Sequence, residues 1–391
     1  MERDSLDLPG RDLLAPLARA EDRLARLDER VARSPRGQGF VERQHFSEAA
    51  AALWLAGELV HLEDLVLHDG RMDVRPPTHE LTRAHDVLRA RRRIAAQRPD
   101  WALSPAGLGA LVAREGDDAA RPILPVETPG PASAADDPQQ AGEEEALAEE
   151  FAEIDAVLAR AGRTLAKKGR VAHGDLDAPW PLPAQEPASR LPETGEAALG
   201  ALIHDEDRDE TALLGEWLAR LRHIEGEALP PLLAAFLAWE AWERIAPLER
   251  QHWLGLLLVA AFLRSQGKTS AHLAGLACGL REVARARRQS RERATRCLAF
   301  LEAVDMGARA GLAEIDRLEL AGHRMERRLR AKRRHSRLPR LAEMVLSRPV
   351  VSAALVAGEL GITQRAALNL IGELGLRELT GRGRYRAWGI V

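Results

Sequence analysis

Four side chains close to the C-terminus are of the types that read DNA. Gln364, Arg365, Leu368 and Asn369 recur at a spacing that sets them on one face of a helix. In the major groove, arginine pairs with guanine, glutamine or asparagine pairs with adenine, and an apolar tip meets the thymine methyl group. Further on, Arg382, Arg384 and Arg386 alternate with other residues, as side chains on one side of a strand do. Together with Arg377 they would line a basic edge that meets phosphates or the minor groove. The chemistry implied is recognition of double-stranded DNA.

Such a face needs a rigid mount, and residues 338–391 predict one. Leu338 to Leu346 makes a first helix. Ser352 caps a second, running to Leu360, because its hydroxyl can accept from an unpaired N–H of the first turn. Gly361 supplies the tight turn, where a left-handed conformation costs glycine little. Thr363 caps a third helix, through about Leu374, and stands beside the DNA-facing residues. Ala367, Leu370, Ile371 and Leu374 share the inner face, and small Ala357 and Ala367 let the two helices cross closely. Arg377-Glu378-Leu379 and Arg384-Tyr385-Arg386-Ala387-Trp388 flank Thr380-Gly381-Arg382-Gly383, which reads as a β-hairpin around a glycine-rich turn. Helix, helix, turn, helix and basic hairpin in this order predict a winged helix-turn-helix. A winged helix used for protein contacts has the same pattern.

Charge agrees with the DNA reading. The whole chain carries −3, but His323 to Val391 holds fifteen Lys/Arg against five Asp/Glu, or +10, which leaves −13 on the rest. A basic terminal module on an acidic body is a footprint of nucleic-acid binding. Arg324 to Arg340 holds nine of these cations. It either extends the phosphate-binding surface or forms a solvated connecting helix.

Other constellations carry less. His61, Glu63, Asp64, His68, Asp69, His79, Glu80 and His85 cluster in the N-terminal region. Imidazole and carboxylate are metal ligands, yet His79-Glu80 is followed by His85 two positions too late for the HExxH pattern. Hydrogen-bonded helix contacts explain them more simply. Trp239, Trp242 and Trp253 at helical spacing fit a core better than a ligand pocket. No G-x-S-x-G, P-loop or dinucleotide fingerprint occurs. No catalytic residue, metal site or cofactor is assigned.

The elements upstream are helical. With 391 residues, two or three domains are expected. Hydrophobic residues make up 46% and aromatic residues 4%, and Ala, Leu, Arg and Glu favour helix over sheet. Helical patterns run over 12–33, 43–68 and 78–93, the last capped by Thr78, and over 101–112 around Ser104. A break falls at Asp69-Gly70. Residues 115–145 are acidic and rich in Pro, Ala and Gly, which predicts a disordered linker. A helix is expected at 146–165 and a proline-rich loop at 172–196. From Thr211 to about Leu329 the pattern is helical almost throughout; Leu229-Pro230-Pro231 starts one helix, and more follow at 250–266, 270–284, 289–307 and 310–334. Cys278 and Cys297 lie in helical patterns and read as reduced core residues of a cytoplasmic protein. No apolar run reaches about eighteen residues, so no membrane span is expected. The N-terminus is charged and has no apolar signal core, so no secretion is expected.

Two resemblances enter here. GELVHLEDLVLHD (57–69), PTHELTRAH (77–85), SRLPRLAEMVL (336–346) and ELTGRGRYRAWGI (378–390) resemble a bacterial family in which a domain of unknown function precedes a helix-turn-helix. The order of regions, and the stretch 230–267 in particular, is similar to Fic proteins. In these a helical core transfers a nucleotide group to a protein hydroxyl through the loop His-Pro-Phe-x-(Asp/Glu)-Gly-Asn-Gly-Arg. This chain departs from that loop. Ala246 stands for the histidine base, Pro247 is kept, Leu248 replaces phenylalanine and Arg250 stands for the metal-holding acid. Gln251, His252, Trp253 and Leu254 replace Gly-Asn-Gly-Arg. Without base, acid and anion nest the resemblance implies a fold kept and catalysis lost.

These readings give a mainly α protein with a Fic-like multi-helix body. The regions expected are an N-terminal helical region (1–114), an acidic linker (115–145), a degenerate Fic-like core (146–335) and a winged helix-turn-helix (336–391). The function expected is a DNA-binding transcriptional regulator that acts as a homodimer, is not an enzyme and does not enter a membrane. Alternatives are an antitoxin-like interaction partner and a nucleotide-handling enzyme with a repurposed core.

Overall fold

A computed structural model describes residues 10–72, 76–113, 209–330, 337–379 and 386–390. The expected linker, the helix at 146–165 and the loop at 172–196 lie outside them. The described residues among 1–114 and 208–391 pack as one unit, so the N-terminal helices, the helices after residue 208 and the C-terminal domain share one set of contacts.

The described body is helical throughout. Helix α1 (Gly10–Arg33) buries Leu13, Leu17, Ala20, Leu24, Leu27 and Val31, one stripe at helical spacing. Asp12 in its first turn and Arg30 and Arg33 in its last oppose the helix dipole. Helix α2 (Gly37–Leu55) is the central rod and buries Phe40, His45, Phe46, Ala49 and Leu53 from several sides. The pattern at 43–68 is two helices. Gly57, at φ 88°, breaks it, and α3 (Leu62–Asp69) follows. Thr78 caps α4 (His79–Ala96), and Ser104 caps α5 (Pro105–Val112) after a short turn at Trp101–Leu103.

After the undescribed segment come α6 (Glu210–Gly226), α7 (Pro231–Ile245) and α8 (Leu254–Ser265). Helix α8 is apolar on every side from Leu254 to Leu263 and is buried accordingly. Trp217 and Trp242 meet edge to face at 5.3 Å, and their indole N–H groups donate to the carbonyls of Ala238 and His252. Trp242 and Trp253 are core residues, while Trp239 is half-buried beside His252.

Two expectations change in the next stretch. Residues 270–275 are a loop bound to the Asp28 carboxylate, and only Leu276–Glu282 is helical there (α9), before a four-residue turn, α10 (Arg285–Arg288). The patterns at 289–307 and 310–334 are one helix, α11 (Arg293–Arg330). Gly307 does not interrupt it. A Cβ there would lie 2.7 Å from the Gly275 carbonyl, so the glycine permits close packing inside the helix. Across the α1–α11 seam, Arg23 meets Asp305 at 2.6 Å and Arg30 meets Asp316 at 2.9 Å. Both cysteines are free. Burial pushes the Cys297 thiol up to about 12 and raises that of Cys278 as well, so neither is a thiolate at neutral pH. Among the described residues no helix is long and apolar enough to cross a membrane.

The C-terminal domain runs α12 (Leu338–Ser347), β1 (Val351–Ser352), α13 (Ala353–Leu360), α14 (Gln364–Leu374), β2 (Arg377–Glu378) and β3 (Ala387–Gly389). Strands β2 and β3 form the expected antiparallel hairpin, with Glu378 opposite Trp388. The hairpin reading did not include β1, which pairs on the other side of β3 and gives the order β1-β3-β2. Buried Trp388 lies in the central strand.

Candidate nucleic-acid interface

Helix α14 is set by local chemistry at both ends. The Thr363 hydroxyl accepts from Ala366 N at 3.2 Å, and Gly375 ends the helix in the left-handed region. Upstream, the Ser352 hydroxyl accepts from Leu355 N at 3.1 Å, and Gly361, at φ 60°, turns the chain between α13 and α14. Ala367, Ile371 and Leu374 are buried and Leu370 is half-buried, so the inner face is as expected.

The opposite face points to solvent. Thr363, Gln364, Arg365, Leu368 and Asn369 are all exposed, and Leu368 keeps 41% of its surface open. Among the described residues, Arg365 has no ion-pair partner. Arg377 is also exposed, at the start of the hairpin. Arg382 and Arg384 lie outside the described residues. Arg386 is exposed but engaged. Its Nε and Nη2 donate to Glu378 at 2.9 and 2.6 Å, and its guanidinium lies 5.2 Å from the Trp388 ring centre. The Glu378 carboxylate raises its pKa.

Four arginines absent from the expected site fix the orientation of this face. On α2, buried Arg43 reaches Glu314 at 2.7 Å and donates to the carbonyls of Val345, at 3.2 Å, and Arg348, at the end of α12. Arg337 donates to the Leu360 and Gly361 carbonyls at the end of α13. Arg328 donates to Leu374 O at the end of α14, and Arg317 to Ile390 O, after β3, at 2.5 Å. Cations thus sit on the carbonyl ends of all three helices, where the dipole favours them. Arg328 and Arg337 belong to the basic run read as phosphate-binding or solvated. Its composition gave no sign that two of its members, both exposed, bind carbonyls at helix ends of the domain.

Three of the clustered N-terminal candidates, His68, Asp69 and His85, make packing contacts. His85 pairs with Asp69 at 3.3 Å, Arg92 holds the same carboxylate at 2.7 Å, and the His68 and His85 rings meet edge to face at 4.8 Å. Those two partners hold Asp69 down to about 2 against the opposing effect of burial. For these three residues the contacts are the helix contacts expected. In the connector between α7 and α8, Ala246 is left-handed, Leu248 and Trp253 are buried, and His252 pairs with Glu243 at 2.9 Å, which raises its pKa.

A tri-helical unit with an exposed polar third helix and a three-stranded wing is a helix-turn-helix DNA-binding domain. Residues 338–391 match the family described as "HTH DNA binding domain". Residues 202–330 match the family described as "Protein of unknown function (DUF1612)". Over 388 residues the chain is 43% identical to the uncharacterized protein y4cF of Sinorhizobium fredii, covering 97% of each chain. With that identity over nearly its whole length, the chain belongs to the same family as y4cF.

Proposed function

We propose that the chain is a sequence-specific transcriptional regulator. Helix α14 enters the major groove with Gln364, Arg365, Leu368 and Asn369 at base edges. The N–H end of α14 at Thr363, with Arg377, Arg382, Arg384 and Arg386, takes flanking phosphates or the minor groove. One observation carries this reading: α14 turns these four base-reading side chains outward, and Arg365 among them has no ion-pair partner among the described residues.

The body is read as a scaffold without transferase activity that dimerises or senses. Supporting this, Ala246, Leu248 and Arg250 stand at chemical positions of a Fic loop, and none is a base or a metal ligand. A cytoplasmic homodimer would place two α14 helices on half-sites about 34 Å apart.

The test is fluorescence anisotropy of the full chain on its own upstream DNA and on a scrambled control, over a salt series. Preference for the native DNA, lost in Gln364→Ala/Arg365→Ala, supports the regulator. Equal, weak binding to both DNAs makes the domain a protein-contact module, and a co-purifying neighbour-encoded protein then identifies the antitoxin-like alternative. A monomeric mass in light scattering, with and without DNA, removes the dimer.

A further inference from the structure

Away from the DNA-binding domain, α2, α4, α8 and the loop at 270–273 enclose a cleft of about 430 Å³. Small-molecule sites fall in the range of roughly 300–1,000 Å³. The loop is held in place by α1. The Asp28 carboxylate accepts from Ser270 N, Ser270 Oγ and Ala271 N, and pairs with His272 Nδ1 at 2.9 Å. Burial opposes ionisation of Asp28, but these donors prevail and hold it at about 2.

That arrangement sets the tautomer of His272. In the neutral imidazole, with Nδ1–H donated to this carboxylate, Nε2 is a lone-pair acceptor; it is buried and has no hydrogen-bond partner among the described residues. His45 on α2 lines the same cleft, is 2% exposed, and leaves Nδ1 without a partner among the described residues. Burial, with the charges of Arg91 and Arg92, keeps His45 neutral. Buried polar atoms are normally satisfied, so two orphan nitrogens at one cleft point to a polar ligand.

The charged groups define its class. Arg264 Nη1 donates to the carbonyls of Ile94 and Ala95 at 3.1 and 3.2 Å and has no carboxylate partner among the described residues. Glu42 accepts from Arg92 Nε at 3.3 Å, while Arg92 Nη1 is drawn to Asp69 at 2.7 Å. The cleft thus offers an unneutralised cation and a loosely held carboxylate. Val41, Ala95 and Leu273 supply apolar wall.

We propose that this cleft binds a free amino acid. Its carboxylate meets Arg264, its ammonium group meets Glu42 and His272 Nε2, and its side chain lies against Val41, Ala95 and Leu273. A zwitterion uses both charges, which a simple acid or amine cannot. Helix α2 carries the cleft residues Glu42 and His45 beside Arg43, which holds the end of α12. An occupant therefore touches the helix that supports the DNA-binding domain. The proposal does not rest on the DNA reading, because its test contains no DNA.

The test is thermal unfolding of the full chain with each standard amino acid at millimolar concentration. For the best binder, its amide and its deaminated acid are compared with it. A rise of several degrees with the zwitterion, and little or none with either analogue, is expected. Arg264→Gln and Glu42→Gln should each abolish the rise. Ala96→Phe, at an exposed position lining the cleft, should block it while leaving the unliganded midpoint close to wild type. No rise with any amino acid, equal rises with the analogues, or a rise that persists in Ala96→Phe would each overturn the proposal.

Discussion

Arg91 on α4 is sealed in the body, whereas Arg365 on α14 stands in solvent. Arg91 has no exposed surface, donates to Leu273 O at 2.8 Å and lies 3.6 Å from Glu48 Oε2. Burial lowers its pKa, and the Glu48 charge works against that shift. Glu48 also accepts from Ala277 N and Cys278 N at 3.1 and 2.8 Å, so one carboxylate serves a buried cation and the first turn of α9. Among the described residues Arg365 makes no comparable bond. The same side chain is therefore a structural fastener in one region and an open valence in the other. Base readout needs the second kind, because an arginine already paired within the protein cannot bind guanine without losing that pair.

The largest expected effect is on the fastener. Glu48→Ala leaves the Arg91 charge buried without a counter-charge and two N–H groups of α9 unpaired. A loss of about 3–5 kcal/mol in urea unfolding is expected, the cost of breaking a buried pair on one side. A change below about 1 kcal/mol, the median for a surface pair, would mean that Glu48 is not coupled to Arg91. Arg365→Ala should do the reverse. Stability should move by less than about 0.5 kcal/mol, while discrimination between native and scrambled DNA falls by about 1–3 kcal/mol. A clear drop in stability would place Arg365 among the fasteners and remove it from the DNA surface.

A third prediction concerns pH. Burial, with the charges of Arg91 and Arg92, takes His45 down to about 2 in the folded protein, against about 6.5 when unfolded. The contribution of neutral His45 is thus fully present above about 6.5. It is lost as pH falls below that, because the unfolded chain takes up a proton the folded one refuses, at up to about 1.4 kcal/mol per pH unit. Between about pH 4.5 and 6.5, His45→Gln should flatten the fall in stability relative to wild type, as read by denaturant midpoints. Parallel curves for the two proteins would mean that His45 is protonated in the folded state.

What the sequence made legible was whatever depends on neighbours along the chain. Thr78, Ser104, Ser352 and Thr363 cap helices because a cap needs only the next few N–H groups, and Gly361 turns because of its own φ. The face of α14 followed from periodicity alone. Elements that depend on distant partners were missed. Gly307 looks like a breaker until Gly275 is known to lie against it, and residues 270–275 look helical until Asp28 claims their N–H groups. Strand β1 needs Trp388 as its partner, and Arg43 reaches a carbonyl 302 residues away. No local pattern encodes such pairings, so the mount of the DNA-facing helix was visible while its attachment to the body was not.

Arg386 lies between the two kinds of arginine and gives the smallest expected effect. It is exposed, as a phosphate contact must be, yet its Nε and Nη2 both donate to one carboxylate oxygen, Oε2, of Glu378 across the hairpin. A cation that releases one counterion on binding DNA contributes about 0.9 to the slope of log affinity against log salt. Because Glu378 competes with the phosphate, Arg386→Ala should reduce that slope by less than the full amount, and sequence preference should not change. Glu378→Gln frees the guanidinium and should strengthen binding to native and scrambled DNA alike, with a steeper slope. If both variants leave the slope unchanged, Arg386 is a brace for the wing, and the phosphate contacts of this edge fall to the residues around it. If either variant changes which DNA is preferred, the hairpin reads bases as well as backbone, and the line drawn between α14 as reader and the wing as anchor has to move.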